Sequence, residues 1–167
     1  LCVRVYEACS ELKLPVLFHL DNLACMDLPG LPGLARVLEA LPGLVMIGHG
    51  KGWWASIAGN LTQADLHVSY PKGPVAPGGA IDSLMDRFPN LYGDLSASGA
   101  HATLRDPDFG SAFLRRRADR LLFGLDRYDL LQPAFAQFEL FDRTKLPTLA
   151  RRKISRENAG RLLGLAG

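Results

Sequence analysis

Four short apolar runs, with a helical pattern between each and the next, constrain this chain more than any other feature. They are Val16 to His19, Leu44 to Gly48, Leu91 to Ser96 and Leu121 to Gly124. Apolar runs of this length read as strands buried on both faces, the habit of a parallel sheet. Three of them finish in residues that carry chemistry. The first ends in His19, with Asp21 and Asn22 beyond it. The second is followed by His49, and the fourth, after Leu125, by Asp126. Parallel α/β sheets place their ligands at the carboxyl ends of the strands. Imidazole and carboxylate groups gathered there suit metal binding or proton transfer.

The segments between the strands complete a repeat. Helices are expected at 1–13, 34–41, 53–63, 81–88, 111–119, 131–141, 146–152 and 155–164. A short apolar piece lies at Leu66 to Val68. The Pro- and Gly-rich segment 69–80 is the longest irregular stretch, and 97–110 reads as loop with room for a short helix. Strand and helix in alternation mean parallel βαβ units, and right-handed crossovers bring all the strand ends to one side. An open doubly wound sheet and half of a (β/α)8 barrel both satisfy this pattern. A whole barrel takes about 250 residues; 167 residues with four units fit half of one.

Composition narrows the partners. Lys and Arg number 19 against 17 Asp and Glu, for a net charge of +2. That balance gives no footprint for nucleic acid or an anionic membrane. No apolar run approaches the ~20 residues of a membrane span. Cys2, Cys9 and Cys25 are odd in number and lack C-x-x-C spacing, so they read as thiols of a reducing, cytoplasmic protein. In the first helix Leu1, Val5, Ala8 and Leu12 share a face, with Cys2 and Cys9 beside it. That helix starts at full amphipathic strength without a cap, which reads as the continuation of an upstream segment.

The runs also resemble a known family when taken in order. PVLFHLD is similar to the fifth barrel strand of the amidohydrolase-related enzymes, LVMIGHG to the sixth, NLYGDLSA to the seventh and RLLFGLD to the eighth. ISRENAGRLLGL resembles their closing helix with its Asn-Ala pair. The resemblance spans essentially the whole chain, residues 1–167, as the carboxyl-terminal half of an α/β, TIM-type (β/α)8 barrel, strands five to eight. It implies a metal-dependent hydrolase in which activated water attacks an amide, ester or lactone carbon. Relatives on the same frame are decarboxylases, so lyase chemistry is the alternative. His19 and Asp126 would be ligands of a divalent metal, Zn2+ in this reading. Asp126 would also act as base, and His49 would polarise the substrate.

Departures from the family pattern are specific. No H-x-H pair, the family's first-strand ligands, occurs in this chain. Leu125 stands where Ser or Thr is usual, and Asp126 is followed by Arg127-Tyr128-Asp129, not by an aromatic-Pro pair. A zinc site takes three or four protein ligands, so this chain alone offers an incomplete set and is expected to act with a missing amino-terminal half, or a homo-oligomeric partner. Alone it could equally be an inactive fragment.

Each candidate has a plainer reading. His19 could bond a neighbouring loop, Asp126 could cap a helix, and Asp94 reads as structural. Trp53 could line the mouth of a small-molecule pocket or simply pack. Arg127 and Tyr128 could bind a substrate carboxylate or belong to a solvated loop. Barrel geometry adds one expectation: strands 16–19 and 121–124 become open sheet edges in the isolated chain.

Overall fold

Within residues 2–21, 23–68, 71–127, 129 and 136–165, which the computed structural model describes, four parallel strands form one sheet in chain order. They are β1 (Val16–His19), β2 (Met46–His49), β3 (Leu91–Asp94) and β4 (Leu121–Leu122). Asn22, Tyr128 and the start of the helix expected from 131 lie outside the described residues. A doubly wound sheet reverses its strand order at a switch point. Here the order runs β1-β2-β3-β4 without reversal, as it does around a barrel. The fold is therefore α/β, with the strand arrangement of a partial barrel.

Helices follow the strands with shifted bounds. They are α1 (Cys2–Glu11), α2 (Pro32–Ala40), α3 (Lys51–Ala55), α4 (Ala80–Arg87), α5 (Ser98–Leu104), α6 (Pro107–Arg116), α7 (Ala136–Thr144), α8 (Thr148–Arg152) and α9 (Asn158–Leu163). A π-helical turn, Lys153–Glu157, joins the last two. The helix expected at 53–63 stops at Ala55. There the Pro- and Gly-rich loop folds back on it, with Gly59 N donating to the Ala76 carbonyl at 2.9 Å. The remainder is loop and a 3-10 turn at Asp65–His67, which takes in part of the short apolar piece Leu66 to Val68. Helix α6 begins earlier than the apolar pattern suggests. Asp106 accepts from Phe109 N at 3.1 Å and Pro107 occupies the first turn, a strong start signal.

Register fixes which residues share a face. Val16, Phe18, Met46, Leu91 and Leu121 turn toward the helices and join the core with Leu38, Trp53, Trp54, Met85 and Phe113. The other face carries Leu17, Ile47 and Tyr92 in one row, then His19 and His49 in the next. Along the first row exposure falls from 59% at Leu17 to 8% at Ile47 and 9% at Tyr92. Only the edge strand is thus open on that face, although both its faces were expected to be buried. The helix before it is rotated from expectation too. Tyr6 and Cys9 pack against the core, while Val5 and Leu12 point outward. Two apolar stripes ran along that helix, and the one carrying the tyrosine ring found the groove beside β1.

The two sheet edges differ. Outside the pairing with β2, no backbone bond from Leu17 or His19 occurs among the described residues. Directly after β4, by contrast, Phe123 N donates to the Ile154 carbonyl at 3.0 Å. The buried Asn158 amide donates to the carbonyls of Leu121 (2.8 Å) and Ala118 (2.7 Å). The closing helix thus covers an edge that was expected to be bare.

Candidate functional site

Strand ends assemble the site. β1 and β2 run in register to their last residues, so His19 and His49 lie side by side with ring centroids 5.2 Å apart. Directly after β2 the chain folds over the end of β1: Leu20 N donates to the His49 carbonyl, and Gly52 N to the Leu20 carbonyl, each at 2.9 Å. Gly50 makes that crossing possible. Its φ is +92°, and a Cβ there would come within 2.6 Å of the Leu20 oxygen and 2.9 Å of the His19 ring. The glycines flanking His49 therefore serve strand-end packing.

His49 is the buried centre of the group, its side chain 9% exposed. Its Nδ1 meets Asp94 Oδ2 at 2.8 Å at the end of β3, and Ser96 Oγ lies 3.1 Å from the same nitrogen. Ser96 pins the carboxylate from its other side: the hydroxyl donates to Oδ2, and the backbone N–H to Oδ1 at 3.1 Å. Gly124 leaves the room this requires, since a Cβ on it would stand 2.7 Å from Asp94 Oδ1. The hydrogen bond to Asp94 raises the His49 pKa above its ordinary 6.5, with the charges of Asp94 and Asp126 adding and burial opposing. A carboxylate on Nδ1 also fixes ring orientation and leaves Nε2 as the working nitrogen.

Nε2 faces Asp126, whose Oδ2 lies 3.8 Å away. Asp126 adopts a left-handed backbone (φ +55°) beyond β4, which turns the chain at that point. At that separation the two groups form an ion pair without a direct hydrogen bond, and an atom between them could bond to both. His19 is more open, 53% exposed, with Nε2 3.6 Å from Asp21 Oδ2. Three backbone N–H groups, of Leu23, Ala24 and Cys25, donate to Asp21 Oδ1 and hold its pKa at about 2. That carboxylate stays anionic across the physiological range.

His19, His49 and Asp126 are thus brought together on one side of the sheet. Trp53 is not part of the group. Expected at a pocket mouth, it is fully buried on the helix side, packed on Gly48, edge-on to Phe18 at 5.6 Å and to Trp54 at 6.2 Å. Helix α3 turns it there because the glycine leaves a slot the size of an indole. Arg127 is exposed next to Asp126, and its Nε donates to the Asp129 carbonyl at 3.4 Å. Tyr128 lies outside the described residues. Sequence reasoning gave Asp94 only a structural place and passed over Ser96. The signal was present, since Asp94 ends the strand next to His49, but only register shows that the two side chains meet.

The donors fit a divalent ion in type and fall short in number. Among the described residues no group of three or more His, Cys, Asp and Glu side chains is placed to hold a metal. His49 Nδ1 is committed to Asp94, which leaves the His19 imidazole and the Asp126 carboxylate as open donors. Two donors make part of a ligand set.

A family profile described as Amidohydrolase matches residues 3–165. No curated protein matches. Among solved structures the chain is similar to an uncharacterised TIM-barrel protein from Bordetella bronchiseptica, at 23% identity and TM-score 0.57, over 97% of this chain and 50% of that one. It is also similar to 2,6-dihydroxybenzoate decarboxylase from Rhizobium (21%, TM-score 0.49, 99% and 55%). A third is a dihydroxybenzoic acid decarboxylase from a Polaromonas species with bound manganese and the inhibitor 2-nitroresorcinol (21%, 0.49, 98% and 53%). The chain spans about half the length of each.

Proposed function

We propose, from the premise that this chain belongs to the amidohydrolase family, that it supplies half of the active site of a metal-dependent hydrolase. The observation that carries this reading is His49, buried, oriented by Asp94 and Ser96, with its free nitrogen turned toward Asp126. The substrate class is a small molecule with an amide, ester or lactone carbon.

Each residue has a role that its surroundings support. His19 and Asp126 would hold a divalent ion, Zn2+ in our reading, with the remaining ligands supplied from outside this chain. Such an ion supplies Lewis acidity and lowers the pKa of water toward about 7. Asp126, open to solvent on one side, accepts the proton of the attacking water. In its protonated form, which the Asp94 hydrogen bond favours, His49 donates from Nε2 to the carbonyl oxygen as negative charge develops there. Asp94 stabilises the imidazolium without leaving its own hydrogen bonds. Arg127, exposed one residue beyond Asp126, is suited to an anionic end of the substrate.

Decarboxylation is the second reading, favoured by the same buried imidazole, oriented by Asp94 with Nε2 left to work. A protonated His49 could deliver its proton to the carbon left when CO2 departs. One experiment tests both. The chain is joined to the amino-terminal half of a family member carrying the H-x-H pair, and ester, lactone and amide hydrolysis and CO2 release are assayed with and without Zn2+. We expect metal-dependent hydrolysis that falls at least about 100-fold in Asp126→Asn. CO2 release without hydrolysis would select the second reading, and a folded, metal-loaded hybrid with neither activity would overturn both.

A further inference from the structure

A second polar cavity shares no residue with the strand-end group. It encloses about 200 Å³ between the end of α3, residues 60–65 and 71–74, and the carboxyl end of α5, and Asn60, Asp65, Lys72 and Arg105 line it. Arg105 is the notable member. Its Nε is buried and without a hydrogen-bond partner among the described residues. A buried guanidinium donor left without an acceptor is costly. Burial also holds this guanidinium below its usual pKa, with nearby Asp106 only partly offsetting it.

Neighbouring acids answer the charge only in part. The Asp106 carboxylate accepts from Phe109 N at 3.1 Å and from Val75 N at 2.9 Å, so it caps α6 and ties the 71–75 loop across the site. Asp65 Oδ2 accepts from Thr62 N at 2.8 Å and from Thr62 Oγ1 at 2.6 Å. Lys72, exposed on the lining of the cavity, forms no ion pair among the described residues. Arg105 and Lys72 also border an adjoining cavity of about 450 Å³ with His101 and Arg143, and there Glu139 is already paired to Arg143 at 3.0 Å.

We propose that Arg105, Lys72 and Asn60 form a binding site for a small phosphate-type oxyanion, either free phosphate or the phosphoryl group of a monoester. The volume suits one tetrahedral anion with a short substituent. A planar guanidinium presents paired N–H donors to two oxygens, an ammonium adds a point charge, and an amide adds a neutral donor. Binding would join the 71–75 loop to α5.

Inorganic phosphate and methyl phosphate serve as probes, followed by thermal unfolding and by the NMR signal of the arginine Nε–H groups, against sodium chloride at equal ionic strength. Phosphate should raise the melting temperature beyond the chloride control and shift one arginine Nε–H resonance that is missing in Arg105→Gln. Tighter binding of methyl phosphate would assign a monoester, and preference for phosphate the free ion; either supports the site. Lys72→Gln, at an exposed position that leaves folding intact, should weaken phosphate binding about tenfold. Equal effects of phosphate and chloride, or undiminished binding in Lys72→Gln, would overturn the proposal.

Discussion

Because Nδ1 of His49 meets Asp94 at 2.8 Å inside the protein, the two nitrogens of the ring have different jobs. Asp94→Asn tests that division. The substitution removes the Asp94 charge and makes a charge-assisted hydrogen bond a neutral one, with burial still opposing, so the His49 pKa should fall, read by NMR titration. The sign of the linked stability follows. A folded-state pKa above the unfolded one contributes stability that is complete below about pH 6.5. It is lost as pH rises through the folded value. Denaturant unfolding should therefore show the advantage of wild type over Asp94→Asn shrinking as pH rises above neutrality. At this scale the sequence was legible only in part. His19, His49 and Asp126 announced themselves at strand ends, whereas Asp94 and Ser96 needed the β2–β3 register. Trp53 misled because an indole after a glycine turn faces a pocket or a core depending on a slot, here above Gly48, that no local pattern reveals.

Among the elements, the closing helix carries the clearest test. Asn158 is fully buried and satisfies two carbonyls, one preceding β4 and one on it. Asn158→Ala leaves both without their donor, at about 1–3 kcal/mol for each buried polar group. We expect a loss on the order of 2–4 kcal/mol in denaturant unfolding, with the strand-end group unchanged at its first three strands. Strand positions were readable because continuous apolar runs bounded by Pro and Gly leave few choices. Helix bounds were less so. Asp106-Pro107 is a start signal passed over when 97–110 read as loop with room for a short helix, and the brevity of α3 depends on the loop from 71 to 79 lying against it. Such long-range contacts have no local trace in the chain.

At the scale of the whole molecule, the sequential sheet, the family membership and the half-length coverage agree on a partial barrel. Its exposed apolar side chains gather mainly in two regions, one of them Phe138, Leu149, Leu163 and Leu165 on or just after the last three helices. Val3, Val5, Leu12, Leu14, Leu17, Leu23, Met26 and Leu28 are all exposed, and all belong to the first three elements or their connecting loops. The bare backbone of β1 runs through the same region, while the edge of β4 is covered by Ile154 and Asn158. That difference bears on how copies of this chain can associate. Edge-to-edge growth into a filament needs two free and complementary edges on every subunit, so that each addition exposes a new one. A subunit with a single free edge can only meet its twin about a twofold axis, and the pair then presents nothing further to add to. Sedimentation at tens of micromolar should accordingly show a monomer–dimer equilibrium, displaced toward monomer by Leu17→Lys; species growing without limit would show that the helix cover on β4 does not hold. The covered edge thus acts as a chain terminator for self-assembly.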